Sequence, residues 1–568
     1  MLQVLNELKD PTLLKMQLFS AIALTLISVA FVTASPNATY KVLSLVPDNQ
    51  TLAVIVDEHV YPLTITSRHS SLLHTGEAPT ATSCYCYAIL EKSNQSNVIE
   101  RENFTRSPVA KDDTLNEFYG RPWNSMNLAQ LPRILEPLPI INRIDSKLHI
   151  DGEIPTMHFT GNQTAIDYIH ANQHLDIDVE GLNMTYISPN DIQTFKDVTF
   201  AIAGMSTRYL DKVSYKIKIP KDNDLYHYRR LKLRAMGTDM SYMREKLVSE
   251  IADSVGLPTT KFSYVRVFIN DQAVGLFGLA ENFKTPWVRN EFNNGEKSSN
   301  QGALYVCDLN GKLNETTSTG NLTNTTVLSD LSYFSDNATL YSIPYPVKEE
   351  PATGTANYTR IMDFTKFLSE QSTNVSDSVI PLWEERIDVA SFLRGLAFEV
   401  VVSSIDGYLG LHNNYILYDD LKHERLVFST AYGHPAEFMG GNYTEFPGLN
   451  STPLATRLLA VPKFKAEFDN LIRNYTTGIV NTDTMNPRID DLMAFLKDDV
   501  AWDKSLPRLG SYGYGAYNPG NLSASDIPFS IGVNGPIPGN MTMGVREWLV
   551  TRSNSLEEYF NQTSVLNS

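Results

Sequence analysis

RRLKLRAMGTDMSYMREKLVSEIADSV, residues Arg229 to Val255, contains a change of period that decides the fold. From Arg229 to Met236 apolar and basic side chains alternate, the pattern of a strand with one buried face. After Gly237 the apolar residues recur as Met243, Leu247, Ile251 and Val255, one stripe of a helix that turns about 100° per residue. Asp239 is placed to cap that helix, and Gly256 with Pro258 to end it. Arg244 falls inside the apolar arc, Glu250 lies on its border and Glu245 points away. A guanidinium on the buried face is costly unless it is paired.

Outward from this stretch, VTFAIAGM (Val198 to Met205) and SYKIKIP (Ser214 to Pro220) read as strands. In the second, Lys216 and Lys218 share one face while Tyr215, Ile217 and Ile219 share the other. Tyr264 to Ala280 reads as two strands around the turn Asn270-Asp271. From Ile361 onward the pattern is mainly helical, with VASFLRGLAFEVVVSSI (Val389 to Ile405) and helices around Phe464 to Tyr475, Ile489 to Phe495 and Met543 to Phe560. Strands followed by helices make the fold class α+β.

Toward the N-terminus, YKVLSLV, TLAVIVD and YPLTITS are short alternating runs split by turn residues, which predicts a small immunoglobulin-like β-sandwich over residues 35–93. Residues 94–150, rich in Pro and Asn, read as an extended linker that wraps a neighbouring surface. The main domain is expected over 151–565, with a polar, glycosylated insertion near 296–355.

LFSAIALTLISVAFVTA, Leu18 to Ala34, is an apolar run preceded by Lys15, with Val32 and Ala34 as the small residues a signal peptidase reads. Residues 1–34 are therefore expected to be a signal peptide cleaved after Ala34; the alternative is an uncleaved anchor, for which the run is long enough. Nothing else approaches a membrane span, and EYFNQTSVLNS at the C-terminus lacks an apolar lipid-anchor tail. Eighteen Asn-x-Ser/Thr acceptors, crowded at Asn314, Asn321, Asn324 and Asn337, point the same way. The expected location is secreted or cell-surface. A net charge of −17 argues against nucleic acid as a partner. Of the three cysteines, Cys84 or Cys86 is positioned in sequence to pair with Cys307, leaving one thiol over.

Lys232 on a strand and Glu250 on the following helix have the types that protein kinases use to hold the phosphates of ATP, and also those of an ordinary structural ion pair. GMSTRYLDKVSYKIKI, KLRAMGTDMSYMREKL, YVRVFINDQAVGLFGLAEN and SSIDGYLGLHNNYILYDD occur in that order. Together they resemble the CotH family, the spore-coat kinases of bacteria and the related cell-surface invasins of Mucorales fungi; the N-terminal β region and the TLNEFYGRP linker resemble the fungal branch. The resemblance implies an atypical protein-kinase-like fold and, in its active members, phosphate transfer from ATP to Ser or Thr of coat proteins.

It places the catalytic base at Asp406, the phosphate-binding lysine at Lys232, a basic residue near the phosphate loop at Lys212, and the helix acid at Glu250. Asn413 and Asn414 resemble the amide that helps hold a metal ion. The family's D-x-D-x-T-F-G metal signature is replaced by VFSTAYGHPAEFMGG, with Tyr432 and His434 where the two aspartates belong and Glu437 as the nearest carboxylate. Magnesium and manganese favour carboxylate and phosphate oxygens. His434 suits a softer metal, and Glu437 serves only if the loop is re-registered. The invasin motif is likewise replaced, by LGLHNNYILYDDLKHE. Two functions follow as expectations. One is a secreted surface or coat protein with an incomplete kinase-like domain, binding coat, cell-wall or host surface proteins; the other is an active secretory Ser/Thr kinase using ATP with Mg or Mn.

Overall fold

The computed structural model describes residues 37–65, 70–109, 112–204, 206–307, 311–316, 322–430, 442–511, 526–538 and 542–566. The expected signal peptide with its expected cleavage point, and Tyr432, His434 and Glu437, lie outside the described residues. The chain forms two units, residues 1–66 with 73–115, and residues 67–72 with 116–568.

In the first unit β1 (Asn37–Leu43), β2 (Gln50–Val56), β3 (His59–Pro62), β4 (Thr64–Ile65), β5 (Leu73–Pro79), β6 (Tyr85–Glu91) and β7 (Asn94–Arg101) form two antiparallel sheets. β1 and β4 flank β5, and the other sheet runs β3-β2-β6-β7. Burial alternates through Ala38, Tyr40 and Val42 in β1, which ends at a buried Leu43, so of the run YKVLSLV only its first four residues form strand. The sheets share a core, where Tyr40 meets Tyr85 edge to face at 5.1 Å and the Tyr87 hydroxyl donates to the Lys41 carbonyl at 3.2 Å. β7 occupies the start of the expected linker. Its residues, NQSNVIER, are all exposed, so no buried face marked them as a strand; backbone pairing with β6 holds them.

The second unit opens with β8 (Glu117–Phe118) and then builds a closed barrel from β9 (Thr156–Thr160), β10 (Asp178–Ile187), β11 (Ile192–Ala203), β12 (Ser214–Lys218), β13 (Arg230–Arg234), β14 (Phe262–Ile269) and β15 (Gln272–Glu281). Helix α1 (Gln163–Ala171) follows β9, and α2 (Arg244–Ser254) joins β13 to β14. Alternation sorts the side chains. Tyr215, Ile217, Leu231 and Leu233 fill the barrel with Phe200 and Phe277, while Lys216, Lys218, Arg230, Lys232 and Arg234 take the alternate positions. The two strands around Asn270-Asp271 and the α2 stripe stand where the sequence placed them, with Met243, Leu247, Ile251 and Val255 all buried.

Beyond α3 (Trp287–Phe292) lie β16 (Leu304–Cys307), β17 (Gly311–Thr316), β18 (Leu322–Val327) and β19 (Val347–Glu349), followed by α4 (Thr359–Glu370), α5 (Ile380–Glu384), α6 (Val389–Val402), α7 (Tyr408–Leu411), β20 (Tyr415–Asp420) and β21 (Arg425–Thr430). The sheet β19-β16-β20-β21 is two-faced: Ile416 and Tyr418 join the barrel core, whereas Tyr415 and Leu417 join the helical core. The expected insertion thus supplies two strands of a central sheet; its short run ALYVC, flanked by polar residues, was too brief to read as core. The helical part continues with α8 (Pro453–Leu458), α9 (Pro462–Gly478), α10 (Thr482–Ser505), α11 (Phe529–Asn534) and α12 (Val545–Leu566). Among the described residues no helix is long and apolar enough to cross a membrane.

Residues 116–155 run without long elements along this unit. The backbone N–H groups of Ile134 and Leu138 donate to the carbonyls of Ser254 and Gly256, each at 3.0 Å, so the segment satisfies acceptors that the end of α2 leaves open. The expected disulfide is absent: none of Cys84, Cys86 and Cys307 is joined in a disulfide. Cys86 is buried in the first unit's sheet and Cys307 in the second unit's core, so each sulfur is held by its own packing.

Candidate functional site

Lys232 stands opposite Lys216 on one side and Ala280 on the other in the β12-β13-β15 register. Burial pulls its ammonium pKa down to about 7, helped by Arg234, Lys348 and Lys216 and opposed by Glu245. Arg234 occupies that acid itself, with Nε at 2.9 and 2.8 Å from the two Glu245 oxygens. The result is a cluster of cations on the outer barrel wall, in which Lys232 has no ion pair of its own among the described residues. Such a cluster is complementary to a polyanion.

The expected Lys232–Glu250 pair does not form. Glu250 instead accepts from Arg488 Nε at 3.0 Å and pairs with Lys246 at 3.0 Å. Five residues along a helix rotate a side chain by about 140°, so Glu245 faces β13 while Glu250 faces α10. Glu245, which the sequence reading turned away, is the acid that meets the strand. Arg244 finds its partner in Asp239 at 3.4 Å, and Asp239 also accepts the Arg244 N–H at 2.9 Å; Asp239 lies five residues before α2 starts, so the N-cap position itself falls to Met243 and not to Asp239.

Lys212 is buried between β15 and α10. Its ammonium donates to the Leu276 carbonyl at 2.6 Å, pairs with Asp503 at 2.8 Å and sits 4.4 Å from the centre of the Phe277 ring. Burial lowers its pKa to about 8 in spite of Asp503. A phosphate would have to displace Asp503 to reach it.

Asp406, Asn413 and Asn414 come together. α6 ends at Ser403 in the left-handed region (φ 61°), and the chain turns through Asp406 into α7. Asn413 Nδ2 donates to Asp406 Oδ1 at 3.1 Å, and Asn414 Nδ2 to the Asp406 carbonyl at 3.0 Å. Asn414 leads into β20, whose first residue Tyr415 is opposite Thr430, the last residue of β21. Thr430, the last described residue before Tyr432, His434 and Glu437, therefore lies in the strand pair that this loop feeds. Asp406 and Asn413 supply one carboxylate and one amide, a weak set for a hard divalent ion. Among the described residues no group of three or more His, Cys, Asp or Glu is arranged to hold a metal.

Beneath the loop lies Glu399, which the sequence reading passed over. Its carboxylate is fully buried and accepts the N–H groups of Tyr408 and Leu409, both at 2.9 Å. A Cβ on Gly407 would lie 2.5 Å from a Glu399 oxygen, so a larger residue there would press on the buried carboxylate. The available signal was a lone acid in the apolar run LRGLAFEVVV.

Burial raises the Glu399 pKa from 4.5 to about 7 against those two N–H groups. The folded chain keeps a proton that the unfolded chain releases over this window, so this contribution to stability is lost as pH rises from 4.5 to about 7. Glu399→Gln is expected to flatten that part of the pH–stability profile, read from denaturation midpoints. An unchanged slope would mean that Glu399 titrates like an exposed acid.

The family model described as CotH kinase protein matches residues 200–508, from β11 through α10. The chain belongs to the CotH family. Both the Lys232 cluster and the Asp406 loop lie within the matched stretch of this CotH domain. Invasin CotH3 of Rhizopus delemar is 25% identical over 501 residues, covering 85% of this chain and 78% of the relative. Invasin CotH2 of the same fungus is 25% identical over 488 residues, covering 82% and 77%. Its Spore coat protein homolog 1 is 22% identical over 472 residues, covering 79% and 71%.

Proposed function

We propose that this CotH-family chain is a secreted surface or coat protein, with a small β-sandwich before a kinase-like domain that binds protein partners and has largely lost phosphotransfer. The observation that carries the reading is the pair Tyr432 and His434 in place of two metal-binding aspartates. Without anionic ligands a divalent ion is poorly held, and the charge shared by the β- and γ-phosphates goes unneutralised. The relatives' names, invasin and spore coat protein, support a coat or surface setting. Exposure supports the secretory reading: of the thirteen acceptor asparagines whose burial is described, twelve are exposed and Asn442 is half-buried.

The alternative, an active kinase with Asp406 as base, is favoured by the clustering of Asp406, Asn413 and Asn414. Incubation of purified protein with labelled ATP and Mg or Mn separates the two. Little autophosphorylation is expected, rising when Tyr432→Asp and His434→Asp are introduced together. Robust transfer by the unaltered chain, abolished by Asp406→Ala, would reject the binding reading and assign the metal to Glu437 or another ligand.

A further inference from the structure

A concave site is lined by neither the Lys232 cluster nor the Asp406 loop. α4, the end of α5 and the β20–β21 turn enclose a cleft of about 860 Å³, within the range of ligand pockets, ~300–1,000 Å³. Its lining is charged: Arg360, Asp363, Lys366, Glu370 and Glu385 project from the walls. Asn357, on the rim, is exposed and begins the acceptor triplet Asn357-Tyr358-Thr359. The triplet is held for display. Tyr305 donates its hydroxyl to the Asn357 carbonyl at 2.8 Å, and the Asn357 side-chain oxygen accepts the Thr359 N–H at 2.9 Å, leaving Nδ2 to carry a substituent.

We propose that the cleft is the seat of an N-linked glycan carried by Asn357, whose first sugars lie along α4 and exchange hydroxyl hydrogen bonds with Asp363 and Glu370. The attachment itself is ordinary secretory chemistry: Asn357 Nδ2 forms the bond to the anomeric carbon of a glycan delivered on a lipid diphosphate. The diphosphate departs with the electron pair and the amide gives up one proton. Carbohydrate suits this lining. Its hydroxyls donate to carboxylates and accept from ammonium and guanidinium groups, its C–H faces pack on apolar side chains, and the cleft offers both signs of charge beside Phe364, Phe367 and Leu421. A tethered ligand also binds at high effective concentration, so a few solvent-exposed hydrogen bonds are sufficient to seat it. Asp363 and Glu370 are exposed and have no hydrogen bond or ion pair among the described residues.

This inference rests on the secretory reading, and its test separates the two. The full chain is expressed through a eukaryotic secretory pathway, and glycopeptides containing Asn337, Asn357 and Asn374 are analysed by mass spectrometry before and after endoglycosidase treatment of the native protein. All three should be occupied, with trimming at Asn357 slower by about tenfold, the factor that corresponds to ~1.4 kcal/mol of docking. Asp363→Ala with Glu370→Ala should restore trimming at Asn357 to the rate of the other two sites. Occupancy at Asn337 and Asn374 but not at Asn357, or equal trimming at all three, would overturn the seat and leave the secretory reading standing. No occupancy anywhere would overturn both.

Discussion

Arg488→Met is expected to lower the unfolding free energy by about 3–5 kcal/mol, the cost of removing one partner from a buried charge cluster. Arg488 is fully buried in α10. It reaches Glu250 at 3.0 Å, Asp151 at 2.8 Å from each of two nitrogens, and the Ala129 carbonyl at 3.0 Å. It thus ties together α2, α10 and the segment that wraps them. Without it Asp151 and Glu250 face each other with only Lys246 between, 3.2 and 3.0 Å away. Burial alone would raise the Asp151 pKa, but Arg488 and Lys246 outweigh it and hold this carboxyl well below its usual range. That contribution is present above the unfolded value of 3.8 and is lost as pH falls below it, so the variant should also be less acid-sensitive than the parent. Urea denaturation at neutral and acidic pH checks both statements. A loss under about 1 kcal/mol would show that the cluster is no more than a surface ion pair.

Lys232→Met is expected to weaken binding of an ATP analogue by roughly 10- to 150-fold, the range set by ~1.5–3 kcal/mol for one charge-assisted hydrogen bond. Binding by the parent should also decline as pH rises through about 7, where this ammonium loses its proton. Glu250→Gln serves as the contrast. Because Glu250 faces Arg488 and not Lys232, its loss should reduce stability and leave nucleotide affinity unchanged. Lys232 provides a second readout. The unfolded chain holds this proton up to about 10.5, whereas the folded chain releases it near 7, so its contribution to stability rises with pH across that window. Lys232→Met should therefore stabilise the chain at and below neutral pH while binding is lost. Isothermal titration and thermal melts across pH measure the two effects. Equal affinity in parent and variant would remove the cation cluster from any nucleotide site.

Much of the site was legible because it is local. Asp406, Asn413 and Asn414 fall within nine residues, and one tight loop before β20 brings them together. The pairing of Lys232 was not legible, since it turns on which side of α2 packs against the barrel. Helical phase put Glu250 on the border of the apolar arc and turned Glu245 away, but Arg234 occupies Glu245 and Arg488 occupies Glu250. Glu399 escaped for the opposite reason: a buried acid is recognisable only through its backbone donors, and these belong to another helix, α7.

Periodicity by itself determined the strand–helix–hairpin core, from SYKIKIP through α2 to Ala280, because a buried face must repeat every second residue in a strand and about every 3.6 in a helix. The sequence likewise determined that a tyrosine, a histidine and a glutamate stand at 432, 434 and 437, which is a matter of residue identity alone. Tertiary structure decided the rest. β7 and β16 are strands because a neighbouring backbone pairs with them, whatever their own polarity or brevity. Lys212 is an interior cation because Asp503, nearly three hundred residues later, comes within 2.8 Å. Partners that distant are brought together by the packing of α10 against the barrel, and no pattern within either stretch encodes that contact.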